Sequence, residues 1–309
     1  MSILAIDLGG TKIATGLFSL SGELILKSSV LLENRSGHEV GFLIKEQIKK
    51  YQHNPEISLD AIGISVPGIS RSKTGTVWAP NIQGWEDYPL IEEIKTLDRN
   101  MLVRMDSDRA CCILGEVWQG NAKEVNNAIF ITVGTGIGAG ILLNGEIMRG
   151  AYDIAGAIGW MALQKPFESK YISCGNFEYY ASGEGLVRLA KEIISVSKDY
   201  QGLLTGENIS GHDIFSAYNL QDPVAEKVFS ECIVYWGMAA ANLISILNPE
   251  KIIFGGGLFG PAVQFINKIK SEAAKWAQPI SMTQVSFESS ALGIDAALYG
   301  AAYLAMKNK

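Results

Sequence analysis

Positive charge is scarce in this chain. Lys and Arg number 26 against 32 Asp and Glu, for a formal charge of -6, and the densest basic stretch, Lys45 to Lys50, has the spacing of a solvated helix face. No nucleic-acid partner is expected. Long apolar runs are also missing: none approaches the roughly 20 residues that span a bilayer. Met1 leads directly into the strand-like Ile3-Leu4-Ala5-Ile6-Asp7 rather than into a signal sequence. A cytoplasmic protein with no membrane partner is the expectation. Cysteines number only 4. Cys111 and Cys112 are neighbours on a predicted helix, where their side chains diverge, and Cys174 and Cys232 read as core thiols, so a disulfide framework is excluded. With 48% hydrophobic and 19% charged residues, extended disorder is excluded too. A length of 309 residues suits two α/β lobes better than one core.

A repeat organises what is present. An apolar strand, a glycine- and threonine-rich turn and a second apolar strand occur first as Ile3 to Asp7, Leu8-Gly9-Gly10-Thr11-Lys12 and Gly16-Leu17-Phe18. They recur as Ala128 to Val133, Gly134-Thr135-Gly136-Ile137-Gly138 and Gly140-Ile141-Leu142. Each copy has the pattern of a hairpin whose tight turn leaves backbone N–H groups exposed. Strand-like residues follow both turns, so neither is a phosphate loop or dinucleotide fingerprint opening a helix. Elsewhere the periodicity predicts a helix from about Glu39 to Tyr51, strands at Ala61–Val66 and Met101–Met105, and a helix beginning near Asp108. Helices follow at Glu178–Val196 and Pro223–Leu247, then a strand Lys251–Phe254 running into Gly255-Gly256-Gly257, and a last helix from about Asp295 to Met306.

Two glycine turns can clamp a phosphate chain from both sides, since glycine carries no Cβ and lets several amides approach one anion. Asp7 ends the first strand, where a carboxylate can hold a hydrated Mg²⁺ through water and phosphate oxygens. Thr11 and Thr135 can add hydroxyl contacts. Either turn alone reads more simply as a hairpin closure.

Over nearly its whole length the chain resembles the ROK group of bacterial sugar kinases, repressors and related open reading frames. The resemblance lies in Asp7-Leu8-Gly9-Gly10-Thr11-Lys12, Val66-Pro67-Gly68, Pro80-Asn81-Ile82-Gln83-Gly84-Trp85, Gly134-Thr135-Gly136-Ile137-Gly138, Leu247-Asn248-Pro249-Glu250-Lys251 running into Gly255-Gly256-Gly257, and Gly293 through Gly300-Ala301-Ala302. It implies an α/β fold of the two-lobed, actin-like ATPase (ribonuclease H-like) type with the active site in the cleft. Residues 1–119 would form a small lobe, completed by a C-terminal helix over residues 295–309, and residues 120–294 a large lobe.

The run Asp106-Ser107-Asp108-Arg109-Ala110 before Leu114-Gly115-Glu116 resembles the family's Asn-Asp-Ala-Asn segment. Counting back from Leu-Gly-Glu puts Asp108 on the family's base, with Asp106 as the competing alignment. A sugar hydroxyl is a poor nucleophile, so a carboxylate must accept its proton as the γ-phosphoryl group transfers. The rival role for Asp108 is to cap the helix that follows. The resemblance implies ATP and Mg²⁺ as cofactors, held by Asp7, Gly9, Gly10, Thr11, Lys12, Gly134, Thr135 and Gly136, with Gly255 and Gly256 flanking the adenosine. Gly68, Asn81, Ser107 and Glu178 would contact the sugar.

The family pattern is broken in one region. Where the family carries Ala-Gly-Glu-Ile-Gly-His-Met, this chain has Ala155-Gly156-Ala157-Ile158-Gly159-Trp160-Met161, and the zinc loop shrinks to Cys174-Gly175-Asn176-Phe177-Glu178. A tetrahedral zinc site needs several such ligands, so no structural zinc is expected. Ala157 opens volume and Trp160 adds a flat wall, which would suit a bulky substituent at the anomeric or second carbon better than plain glucose; the rival reading is that Trp160 only fills space left by the missing zinc loop. The expectation is an ATP-dependent kinase of a hexose or hexose derivative acting at the 6-hydroxyl, with a homodimer implied by the resemblance. The alternative is a sugar- and nucleotide-binding sensor that has lost catalysis. A repressor is disfavoured, because the chain starts at the phosphate strand with no helix-turn-helix before it.

Overall fold

In the computed structural model, residues 2–307 are described apart from residues 198 and 207. The first repeat unit forms β1 (Ser2–Leu8), β2 (Lys12–Ser19) and β3 (Leu24–Leu31), an antiparallel meander. Helix α1 (Gly37–Gln52) returns the chain to β4 (Leu59–Val66), parallel to β1. A small ribbon, β5 (Ile69–Ser70) with β6 (Val77–Trp78), and helix α2 (Leu90–Lys95) precede β7 (Leu102–Ser107), which runs parallel to β4. Helix α3 (Asp108–Gln119) then crosses to the second unit.

That unit opens with β8 (Ala128–Val133), β9 (Ile137–Leu143) and β10 (Glu146–Ile147), again an antiparallel meander. Helices α4 (Asn176–Ala181), α5 (Gly183–Val196), α6 (Gly211–Asn219) and α7 (Pro223–Leu247) lead to β11 (Lys251–Gly255), which lies parallel to β8. After α8 (Ile266–Ala273) and α9 (Pro279–Gln284), β12 (Ser286–Ser289) pairs parallel with β11, and α10 (Ala296–Met306) ends the described chain. The sheet orders are β3-β2-β1-β4-β7 and β10-β9-β8-β11-β12. The sequence repeat is thus a repeat of topology.

The central strands β1, β4, β8, β9 and β11 are covered on both faces, which explains why they read as continuous apolar runs, whereas the edge strand β3 is largely exposed. Along β1, Leu4, Ile6 and Leu8 join the core under α1, whereas Ile3 and Ala5 pack with Cys111 of α3 and Leu298 and Ala301 of α10. Along β8, Ile129, Ile131 and Val133 face the helical side, and Phe130 faces Ile113 of α3 and Ala296. Helices α3 and α10 therefore form a layer between the two sheets. Their approach is at backbone contact: a Cβ on Gly300 would lie 1.7 Å from the Cys111 carbonyl oxygen. On the opposite side, a Cβ on Gly140 of β9 would lie 2.0 Å from the Arg109 carbonyl oxygen. The first turn of α3 is thereby wedged against the β8–β9 hairpin.

Three expectations change. The helix anticipated over Glu178–Val196 is two helices, broken at Ser182, whose extended backbone (ψ 174) ends α4 and begins α5. The last helix spans Ala296–Met306, and residues 308 and 309 of the anticipated 295–309 segment lie outside the described residues. Finally, α7 is long and apolar enough to cross a membrane by length and composition alone, because Glu231 is its only charge after Lys227. Its Val228, Phe229, Cys232, Trp236 and Ile244 are buried in the core of the second unit.

Candidate active site

The turns of both hairpins and the start of α3 converge on one cavity of about 480 Å³, lined by Gly9, Gly10, Gly68, Asn81, Asp108, Arg109, Gly134 to Gly138 and Glu178. Asn81 reaches across the first turn, so that a Cβ on Gly10 would fall 2.8 Å from its amide nitrogen. In the second turn, Gly134 N–H donates to the Gly136 carbonyl at 2.9 Å. Glu178 of α4 accepts from Ile137 N–H at 2.6 Å, and burial holds its carboxyl above the usual range.

Asp106 and Asp108 have different surroundings. Asp106 is buried and takes Arg149 in a two-pronged pair, with Nη2 at 2.5 Å and Nε at 2.9 Å from Oδ2, while Oδ1 accepts from Ser107 N–H at 2.8 Å. It lines a separate cavity of about 380 Å³. Asp108 is the first helical residue of α3, and its Oδ1 accepts from Arg109 N–H at 2.7 Å. Its other oxygen has no hydrogen-bond partner among the described residues. Burial raises the Asp108 carboxyl above its ordinary range, and the Arg109 charge opposes that rise. The helix cap is Ser107, whose hydroxyl accepts from Ala110 N–H at 3.3 Å, so capping does not occupy Asp108.

Asp7 sits half-buried at the end of β1, with Ser65 Oγ–H donating to Oδ1 at 2.7 Å. Burial pushes its carboxyl up to about 6; the Ser65 hydrogen bond works against this, and the Asp108 and Asp295 charges add to it. Gly10 and Thr11 on the turn beyond, and Lys12 at the start of β2, are exposed. Among the described residues no cluster of three or more His, Cys, Asp or Glu is placed to hold a metal.

A second cavity, of about 520 Å³, shares Gly134 and Thr135 with the first and extends past Gly183 to His212, Phe215, Asn219, Gly257 and Leu258. Gly183, the first residue of α5, donates its N–H to the Gly134 carbonyl at 2.7 Å, so the N-terminus of a full-length helix abuts the shared turn. Gly255 and Gly256 lie behind this cavity. A Cβ on Gly255 would strike the Phe130 ring at 2.2 Å, and Gly256 (φ 87) turns the chain against Val133. It is Gly257 that reaches the cavity wall.

Two anticipated sugar contacts stand apart from the cleft. Ser107 is buried and engaged as a cap, and Trp160 is 57% exposed; neither lines the cavity. Conversely, Arg109, Gly138 and the wall from His212 to Asn219 were not anticipated as site residues. Arg109 sits inside the motif that marks Asp108; the His212–Asn219 wall carries no local signature.

Residues 3–308 match the ROK family. A glucokinase of Halalkalibacterium halodurans is 32% identical over 97% of this chain and 94% of its own length. A β-glucoside kinase of Listeria monocytogenes is 28% identical over 97% of both. Among solved structures, a ROK family glucokinase from Streptomyces griseus in complex with glucose and AMPPNP superposes with a TM-score of 0.82, at 27% identity, over 100% of both chains. The two-lobed, actin-like ATPase architecture is common to both.

Proposed function

The chain belongs to the ROK family, and on that premise we propose that it is a carbohydrate kinase that transfers the γ-phosphoryl group of ATP to a hexose or hexose derivative, at the primary and least hindered 6-hydroxyl. The observation that carries this reading is the pair of cavities joined at Gly134 and Thr135. The cavity with Phe215 and Leu258 suits an adenosine. The shared turn and the α5 N-terminus suit the phosphates, and the cavity with Asn81, Gly68, Glu178 and Asp108 suits a polyol. Two relatives named as sugar kinases over nearly the full chain support it.

In the reaction the hydroxyl oxygen bonds to the γ-phosphorus as the bond to the β–γ bridging oxygen breaks. The hydroxyl proton passes to the unengaged oxygen of Asp108, and ADP leaves with the bonding pair. Glu178 and Asn81 orient the sugar. Gly9, Gly10, Thr11 and Lys12 face the phosphates from the first lobe, taken as residues 1–119 with the C-terminal helix, and Gly134 to Gly136 from the second. Closing the lobes excludes water that would otherwise take the phosphoryl group.

The residues present fit a magnesium ion held mainly by water and phosphate oxygens. A lone half-buried carboxylate, Asp7, lies near Asp108 with an excess of negative charge that a cation relieves. Bound there, Mg²⁺ would neutralise phosphate charge, with Asp7 holding it through water.

The test is ADP release from Mg-ATP over a panel of hexoses, N-acylhexosamines, ketoses and glucosides. Sugar-dependent turnover with at least one is expected. None across the panel, with nucleotide or sugar still binding, would make the chain a catalytically silent sensor instead.

A further inference from the structure

Among the described residues lining the cleft cavity, Arg109 carries the only positive charge. Its stem lies over β9, where a Cβ on Gly138 would come 2.6 Å from Arg109 Cδ, and Nη2 donates to the Gly68 carbonyl at 3.0 Å. The side chain thus spans from the hairpin on the phosphate side, under its stem, to the loop on the sugar side, under its guanidinium, one residue after the proposed base. A guanidinium offers five N–H donors, and the Gly68 bond is the only one it makes among the described residues. No ion pair is formed by it there.

A guanidinium held beside a carboxylate without pairing to it, in a cleft whose other described lining is rich in glycine and carries no positive charge, is placed to receive an anion. Its planar fork matches phosphate oxygens two at a time. The backbone that carries it is fixed, because Gly140 of β9 meets the Arg109 carbonyl at backbone contact. Such a donor gains most where charge develops during reaction, since its orientation is set in advance.

We propose that Arg109 is a further catalytic residue, which binds the phosphoryl group in transit and neutralises its charge as it passes from the β–γ bridging oxygen to the sugar oxygen. This rests on the phosphoryl-transfer reading above. The glycine turns hold the phosphates before transfer, and Arg109 meets the group on its way towards Asp108. No other side-chain cation lines the cavity among the described residues; Lys12, exposed beside the first turn, faces the phosphates before transfer and is not part of that lining.

The experiment compares wild type with Arg109→Ala, Arg109→Gln and Arg109→Lys in two ways. Calorimetry of Mg-ADP, with and without fluoroaluminate as a mimic of the moving phosphoryl group, needs no turnover. Wild type should bind ADP with fluoroaluminate more tightly than ADP alone, and the alanine and glutamine variants should lose that gain while keeping their affinity for ADP, which also shows that they fold. A gain that survives in the variants, or is absent from wild type, would overturn the assignment. In turnover, kcat should fall about 10²-fold or more in Arg109→Ala, with KM for ATP and for an uncharged sugar nearly unchanged. Part of the loss should return with added guanidinium ion. If instead Arg109→Ala only raised KM for sugars bearing a carboxylate or phosphate, Arg109 would be a receptor for an acidic substituent and the assignment would fail. Absence of sugar turnover in wild type would count against the kinase reading, while the fluoroaluminate result would still decide the role of Arg109.

Discussion

Replacing Asp108 by Asn tests the base most directly, because the geometry separates its two oxygens. Oδ1 accepts from Arg109 N–H at 2.7 Å, a bond that the amide oxygen of Asn can keep. The other oxygen has no hydrogen-bond partner among the described residues, and in Asn an NH₂ group stands there, which cannot accept a proton. General-base catalysis contributes about 10²- to 10⁴-fold, equivalent to about 3–5 kcal/mol of barrier at 1.36 kcal/mol per decade. Folding stability should move far less. Losing a negative charge at the first turn of α3 costs about 0.3–1 kcal/mol, and relief from burying that charge offsets it, since burial already raises the Asp108 carboxyl. The assay is coupled ADP release under saturating ATP and sugar, beside a urea denaturation curve for each protein. The expected result is a kcat lower by about 10²-fold or more, with stability within about 1 kcal/mol. A variant as stable as wild type that retains more than about a tenth of its kcat would refute the reasoning, because the only other carboxylate lining the cleft among the described residues, Glu178, is engaged by Ile137 N–H.

Asp106→Asn should behave in the opposite sense. It leaves Arg149 without its carboxylate, and since the Arg149 side chain is 35% exposed, water limits the loss to about 1–2 kcal/mol. That loss should appear as a lower denaturation midpoint with kcat reduced less than about tenfold; the reverse pattern would make Asp106 the base. Asp7 provides a pH test. Its carboxyl is raised from 3.8 to about 6 in the folded protein, so it contributes stability that is full below 3.8 and lost as pH rises through about 6. The difference corresponds to about 3 kcal/mol. Asp7→Asn should therefore be more stable than wild type near pH 8 and lose the advantage below about pH 4, measured by thermal or urea unfolding across pH. Equal or lower stability at pH 8 would contradict the burial argument. Gly300→Ala forces a methyl group to 1.7 Å from the Cys111 carbonyl, which only separation of α3 from α10 can relieve. A loss of about 3 kcal/mol in urea unfolding is expected, and an alanine tolerated at no cost would mean that the helices do not pack as described.

Much of the site was legible in the chain because its signals are local. Glycines at the ends of apolar strands mark hairpin turns through their own backbone freedom, and the two turns at Gly9-Gly10 and Gly134 to Gly136 do face one cavity. The α/β class, the repeat and the limits of α7 follow from periodicity alone. Other features depend on partners far away in sequence. The break at Ser182 is invisible to helix periodicity; the structure shows the Gly183 N–H engaged by the Gly134 carbonyl. Counting back from Leu114-Gly115-Glu116 favours Asp108 over the competing Asp106 already in sequence, and in the structure Arg149 takes Asp106 while Asp108 lines the cleft. The wall from His212 to Asn219 reads as an ordinary amphipathic helix, and only its place beside Gly257 makes it a cavity.

The amino-acid order by itself determined the strands and the tight turns, because these rest on backbone sterics and on hydrophobic spacing within a few residues; the run that contains the proposed base, Asp108, was marked by its resemblance to the family's motif. Tertiary structure alone decided that Asp106 is ion-paired to Arg149 while Asp108 lines the cleft, that Trp160 stays at the surface, and that the Arg109 side chain spans from Gly138 to Gly68. Those outcomes depend on which surfaces are buried against each other, and the free energy of such contacts belongs to pairs of residues that no local window contains.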